Sequence, residues 1–410
     1  MVDEHQDDLR DEPLPYRIWG REFIDDESLK QMNNAARLPV AVAGALMPDA
    51  HVGYGLPIGG VLATENSVIP YAVGVDIACR MRMTIFPVSP IVVKQKEGQF
   101  KKALMEQTRF GAGAAWKPNE QVEHAILEDE AWEVTKYLRS LKDTAYRQLG
   151  TSGTGNHFVE WGAFRLYEDD DDLGLKHGEY LALLSHSGSR GVGFKIANHY
   201  SQMAMDYHPK LDKAVRHLAW LPLDWEVGQE YWLSMELAGR FASANHYVIH
   251  QRMAKAVGFK PAAVVENHHN FAWKVKIPAP AGFKQPEREV IVHRKGATPA
   301  DKGVLGIIPG SMADPGYLVR GKGVAESLYS ASHGAGRQLS RKKAIQSITK
   351  TERDKLLRKQ GVMLIGGGLD ESPQAYKSIE DVMNAQQELV DIIGQFKPII
   401  VKMATESGDI

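Results

Sequence analysis

The chain has 410 residues, 43% of them hydrophobic and 24% charged, a balance that excludes a disordered or fibrous chain and leaves room for one large domain or two to three of ordinary size. A net charge of −2 excludes a global basic field for nucleic acid, so any such site must be a local patch such as Arg337, Arg341, Lys342 and Lys343. One cysteine, Cys79, against 15 histidines excludes an intrachain disulfide and fits a reducing, cytoplasmic setting; the acidic first residues do not read as a signal or transit peptide, and no apolar run reaches the length of a membrane span.

In chain order, residues 1–35 read as a polar lead-in and residues 36–410 as a single domain. Residues 38–90 are apolar and glycine-rich, with strand-like pieces (VAVAGALM, RMRMTIFPV) between Gly and Pro turns. Residues 120–148 have helical periodicity, and YLALLSHSGSRGVG reads as a buried strand entering a glycine-rich turn. Apolar residues from Trp225 to Phe241 recur at helical spacing and predict one or two long helices over 223–258. AAVVENHHNFAWKVKI predicts two strands around a polar break, and REVIVHRKGATPA a strand into a turn. Residues 324–360 predict basic helix, 378–395 a further helix, and KPIIVKM a closing strand. Strands and helices mix without a regular βαβ rhythm, which predicts an α+β domain with central mixed or antiparallel sheets flanked by helices.

Several segments carry chemistry. GVDIACRM places Asp76 and Cys79 three residues apart, where a carboxylate and a thiolate can meet one ion or bridge two; the competing reading is a buried structural cysteine. GTSGTGNHFVEW holds Asn156, His157 and Glu160, LLSHSGSRGVG holds His186, and ENHHNFAW holds His268, His269 and Asn270. Three apolar strands each ending in a histidine would gather their ends at one sheet edge. Carboxylate, imidazole and a lone thiolate together suit two borderline divalent ions such as Mn²⁺. Four Gly/Ser turns (GTSGTG, HSGSRG, IPGSM, HGAGR), two of them carrying arginine, suit an anion-rich ligand, although the Walker and Rossmann fingerprints are absent. His333, set between Ser332 and Gly334-Ala335-Gly336, is either a group facing a bound phosphate or a surface histidine at a helix start. His293, Arg294 and Lys295 read as a positive lip for a nucleic-acid backbone or as a solvated loop.

Taken together, DAHVGYGLPIGGVLA, AVGVDIAC, GTGNHFVE, HSGSRGVG, HHNFAW, HRKGAT, IPGSM, SHGAGRQLSR and DESPQAYK, running from about residue 49 to 402, resemble the RtcB family of GTP- and manganese-dependent RNA ligases. The resemblance implies that His333 attacks the α-phosphate of GTP and becomes guanylylated. The guanylyl group then passes to an RNA 3′-phosphate, and a 5′-hydroxyl end displaces GMP. A 2′,3′-cyclic phosphate would first be opened by hydrolysis. It implies Asp76, Cys79, His157, His186 and His269 as ligands of two Mn²⁺ ions, His269 being the histidine directly before Asn270. The nucleotide pocket it implies comprises Asn156, His157, Phe158, Val159, Glu160, His269, Asn270, Pro309, Gly310, Ser311, Met312, Gly316, His333, Gly334, Ala335, Gly336 and Lys402, with Glu160 and Lys402 at the guanine edge. Arg190, Arg294, Lys295, Arg337 and Arg341 are the weaker candidates for RNA contact; a monomer and an archease-type activator are expected, with oligomeric state and the need for an activator left open by the sequence.

The chain departs from the family at two places: Ala78-Cys79-Arg80 replaces Gly-Cys-Gly, setting a cation beside the metals, and Gly316 stands where a nucleotide-contacting serine is expected. These departures suit a divergent branch, with tRNA splicing, repair of cleaved RNA and DNA ends all open. Two competing readings stand beside the ligase, the first motivated by these departures and the second set against a full set of candidate ligands. One is a binuclear metal-dependent phosphoesterase acting on RNA ends without ligation; the other is a non-catalytic binder of RNA ends.

Overall fold

In the computed structural model, which describes residues 7–278 and 286–405, the apolar stretches pair into two large sheets. The larger runs, in spatial order, Leu305–Ile308, Gly316–Gly321, Val390–Met403, Phe158–Leu166, Gly178–Ser187, Arg80–Phe86 and Ala263–His268. Its neighbours along this path are antiparallel, and Met363–Ile365 joins Val390–Met403 in parallel. The smaller sheet runs Arg17–Ile18, Ala41–His51, Ile58–Thr64, Glu287–Lys295 and Asn270–Pro278. The chain crosses from one sheet to the other between His268 and Asn270, so His269 is the single residue at that seam. Helices flank both sheets, giving the mixed α+β class expected.

Apolar periodicity over 223–258 resolves as one 32-residue helix, Glu226–Val257, ended by Gly258 in the left-handed conformation at φ 79°. It buries Tyr231, Met235, Phe241, Ile249 and Met253. Trp161, fully buried on Phe158–Leu166, lies 5.0 Å edge-on to Phe100 and 5.7 Å from Phe86, ring centre to ring centre. Cutting Trp161 to alanine would cost about 4 kcal/mol.

Three expectations change. Residues 17–36 are not peripheral: helix Asp26–Ala36, capped by Asp25 accepting from the Ser28 N–H, buries Met32, Ala35 and Ala36, and Arg17–Ile18 pairs with Ala45 and Leu46. Residues 1–6 lie outside the described residues. Second, helix over 378–395 shrinks to Ile379–Asn384, because 14 residues from Val390 to Met403 form a central strand. That strand tolerates Pro398, which cannot donate to a ladder, at a register shift between Pro398 and Ile400. Third, residues 324–360 contain strand Ser330–Ser332 before the helices Arg341–Ser347 and Lys350–Gln360.

Candidate metal and nucleotide site

Strand register assembles the site. Arg80 pairs with both Ser187 and His268, while Phe158 pairs with both His186 and Met403. Cys79, His157, His186 and His269 therefore meet at one end of the larger sheet. Two of the histidine-bearing strands end there as expected, but Phe158–Leu166 begins there; antiparallel neighbours set the start of one beside the end of the next. The Asp76–Cys79 turn is closed by Cys79 N–H to Asp76 C=O at 3.1 Å, with Ala78 held at φ 56° by its bond to the Asn270 carbonyl. A Cβ at Gly188 would overlap the Asp76 carboxylate, and one at Gly153 the His157 ring, so both positions need glycine to leave these side chains room.

Five donor atoms form a continuous chain. Asp76 Oδ2 lies 2.8 Å from His157 Nε2, which lies 3.4 Å from Cys79 Sγ. Cys79 Sγ is 3.1 Å from His186 Nε2, itself 3.1 Å from His269 Nε2. Donors around a tetrahedral ion with bonds of about 2.1 Å stand about 3.4 Å apart, so this spacing fits metal ligation. The donor chemistry agrees. His186 Nδ1 donates to the Asn156 carbonyl at 3.0 Å, which assigns the proton to Nδ1 and leaves Nε2 a bare lone pair facing another imidazole nitrogen. Burial, with His157 adding to it, pushes His186 well below the ordinary imidazole range, and burial does the same to His269. Burial alone would raise the Asp76 carboxyl, but the His157 contact and the Arg190 charge hold it at about 2. Burial and the Asp76 charge push the Cys79 thiol up, so its thiolate needs a cation beside it. The residues present thus fit a borderline divalent metal.

His333 stands against this chain, its ring centre 4.8 Å from that of His269. Its Nδ1 lies 2.7 Å, and its backbone N 3.2 Å, from the same oxygen of Asp49, a fully buried carboxylate at the end of Ala41–His51. Burial would raise Asp49, but the bond and charge of His333 outweigh it and pull the carboxyl below its usual value. The flanking glycines now have a reason. Gly336, at φ 72°, packs so tightly on Asp49 that a Cβ would overlap its carbonyl oxygen, and a Cβ at Gly296 would come within 3.1 Å of the His333 ring. No helix starts at His333; the next is Arg341–Ser347. Sequence reasoning missed Asp49, although the signal was present: a carboxylate closing an apolar strand before the HVGYG turn.

The remaining candidates divide. Asn270 Oδ1 accepts from Gly296 N–H at 2.8 Å and its amide donates to Asp76 C=O at 3.3 Å, which ties the seam to the metal turn. The loop Pro309 to Met312 packs against Gly334, whose Cβ would sit 3.3 Å from the Pro309 carbonyl. Ser311 bonds Asp314, and Gly316 opens the next strand beside Pro309. Glu160 is buried without a hydrogen-bond partner among the described residues, and burial raises its carboxyl well above the usual range. Lys402 does not join it. It pairs with Val159, so it faces the other side of the sheet, and its ammonium donates to the Leu104 carbonyl at 3.0 Å.

The arginines are engaged. Arg190 donates to Gly111 C=O, and Arg337 and Arg341 both pair with Glu371, Arg341 also with Asp370. The loop expected at 293–295 is instead the end of strand Glu287–Lys295. Arg294 there is buried and donates to Ser330 Oγ and the Leu328 carbonyl, while burial draws Lys295 down to about 7. Neither forms an exposed lip. Arg80 likewise turns away from the donors, to Glu266 and to the Gly239 carbonyl on the long helix.

Fold and donor set together are consistent with an enzyme that uses metal, with a carboxylate-held histidine beside the candidate donors. The family model described as tRNA-splicing ligase RtcB matches residues 31–404, and the chain belongs to the RtcB family. It is 31% identical to the RNA-splicing ligase RtcB of Escherichia coli (strain K12), over 96% of this chain and 98% of that one. It is also 31% identical to the tRNA-splicing ligase RtcB of Nanoarchaeum equitans, over 95% of each. The Thermococcus kodakarensis tRNA-splicing ligase RtcB is 28% identical, over 93% and 94%. Family membership makes this protein an RNA ligase.

Proposed function

We propose that the protein seals RNA ends through a guanylylated His333, using GTP and two manganese ions. The observation that carries this reading is the His333–Asp49 pair seated beside the donor chain. Asp49 keeps the ring proton on Nδ1, which leaves the Nε2 lone pair to attack the α-phosphate of GTP and expel pyrophosphate. GMP then passes from Nε2 to an RNA 3′-phosphate, produced by hydrolysis where the end is a 2′,3′-cyclic phosphate. The 5′-hydroxyl of the second end attacks that activated phosphate and GMP leaves. Asp76, Cys79, His157, His186 and His269 would hold the ions, which supply charge neutralisation for the phosphates and a lowered hydroxyl pKa.

Base recognition falls to Glu160. Without a partner among the described residues the buried carboxyl stays protonated; ionised on binding, it accepts from the N1–H and exocyclic amine of guanine, a donor pair that adenine lacks. Lys402 reaches the base only by releasing the carbonyls it now holds. The reading includes a single catalytic domain acting as a monomer in the cytoplasm with an archease-type activator, on family resemblance alone. Among the described residues no helix is long and apolar enough to cross a membrane. The test is a nicked stem-loop RNA with 3′-phosphate and 5′-hydroxyl ends, incubated with Mn²⁺ and either GTP or ATP. Sealing with GTP alone is expected. End hydrolysis without joining and without GTP dependence would establish the phosphoesterase instead, a reading that loses one motive because Arg80 points away from the donors.

A further inference from the structure

Residues 341–360 hold eight Lys or Arg and two Asp or Glu, a local charge of +6 in a chain of net −2. Both acidic residues are occupied: Glu352 closes the capping box with Thr349, and Asp354 pairs with Arg353. Arg341 and Arg353 are occupied as well, on Asp370–Glu371 and on the Gly367 carbonyl. Six exposed cations are left without an ion pair among the described residues: Lys342, Lys343, Lys350, Lys355, Arg358 and Lys359. Like charges this dense repel one another, so the arrangement costs stability unless an anion is brought to it.

Their placement ties them to the site. Helix Arg341–Ser347 starts with the Arg341 guanidinium against Gly155, where a Cβ would lie 2.7 Å from its nitrogen, in the loop that leads to Asn156 and His157. Helix Lys350–Gln360 turns Leu357 inward onto Met312, Val401 and Met403, beside the Pro309–Met312 loop and the end of the central strand. At helical spacing the face opposite buried Arg353 and Leu357 carries Lys355, Arg358 and Lys359. Eleven residues of helix span about 16 Å, the reach of several consecutive phosphates.

We infer that these two helices are the docking surface for the phosphate backbone of the RNA flanking the ends to be joined. The inference rests on the ligase reading but places a contact outside its chemistry. The cations anchor RNA through counterion release and carry no sequence information. A membrane or an acidic protein would also meet a basic face. RNA is favoured because the patch borders the loops that carry the metal donors and His333.

The test uses the full chain with all six positions changed to Gln, and a second variant with the five lysines of the set (Lys342, Lys343, Lys350, Lys355 and Lys359) changed to Arg. Four quantities are measured: RNA affinity by fluorescence anisotropy, binding to anionic vesicles by co-sedimentation, sealing kinetics on a long stem and on very short ends, and label transfer from α-labelled GTP. The expectation for the Gln variant is a Kd and KM for stem RNA raised at least about 30-fold at 0.15 M salt, with a log–log salt slope shallower by about 3. Short ends and GTP labelling should be unaffected, and the Arg variant should behave as wild type. Unchanged RNA affinity and salt slope in the Gln variant would overturn the inference, as would lost binding to anionic vesicles with RNA affinity intact. Failure of the ligase reading would look different: wild type itself would not seal RNA, while the anisotropy arm would still report on the patch.

Discussion

Replacing Asp49 with Asn probes the account where it is most specific. One oxygen of this fully buried carboxylate accepts from both His333 Nδ1, at 2.7 Å, and the His333 backbone, at 3.2 Å. A charge-assisted bond of this kind contributes about 2 kcal/mol, or about 30-fold in rate if it is held through the transition state. The amide also offers an N–H₂ to Nδ1, which favours the tautomer with the proton on Nε2 and removes the nucleophilic lone pair. That second effect extends the expected loss toward about 10⁴-fold. The assay is the initial rate of label transfer from α-labelled GTP to protein in Mn²⁺, beside a thermal melt that confirms folding. A folded Asp49→Asn protein that labels at the wild-type rate would refute the tautomer argument.

Other perturbations follow from the same geometry. Cys79→Ala removes the donor between the His157 and His186 nitrogens, so Mn²⁺ affinity by calorimetry should fall at least about 100-fold; unchanged affinity would remove Cys79 from the ligand set. Gly336→Ala forces a Cβ onto the Asp49 carbonyl at a positive φ, and should lower stability by about 3 kcal/mol and impair labelling, both readable in one preparation. His293 is buried neutral, with Nδ1 donating to the Leu62 carbonyl and Nε2 accepting from Ile69 N–H, and burial lowers it to about 4. Because the unfolded ring takes up a proton near pH 6.5 and the folded one resists, its contribution is full above pH 6.5 and falls away as pH drops toward 4, by roughly 3 kcal/mol. Urea midpoints measured from pH 7 to 4 should show that slope, and a shallower one in a folded His293→Gln variant.

Much of the site could be read from the chain because its donors sit beside glycines at strand ends, where side-chain type and local turn signal coincide. His157, His186 and His269 are separated by dozens of residues, yet antiparallel register sets them at one edge. Asp49 was only half legible: a carboxylate closing an apolar strand marks the position, but its pairing with His333, 284 residues away, is something no local pattern reports. Arg294 and Lys295 looked like a cationic loop because their burial comes from strands on either side and from the 328–330 turn. The strand Val390–Met403 was hidden in part by Gly394 and Pro398, which weaken a strand pattern. Neighbours explain both: a Cβ at 394 would come 2.7 Å from the Phe164 ring, and the proline lies at a register shift. Lys402 was placed at the base on resemblance, whereas pairing with Val159 puts it on the opposite face from Glu160.

The most direct measurement is intact-protein and peptide mass spectrometry after incubation with GTP and Mn²⁺. The account predicts one GMP added per chain, lost on mild acid treatment, mapped to His333 and absent from His333→Ala. A GMP adduct on another residue, or one that persists in His333→Ala, would contradict it.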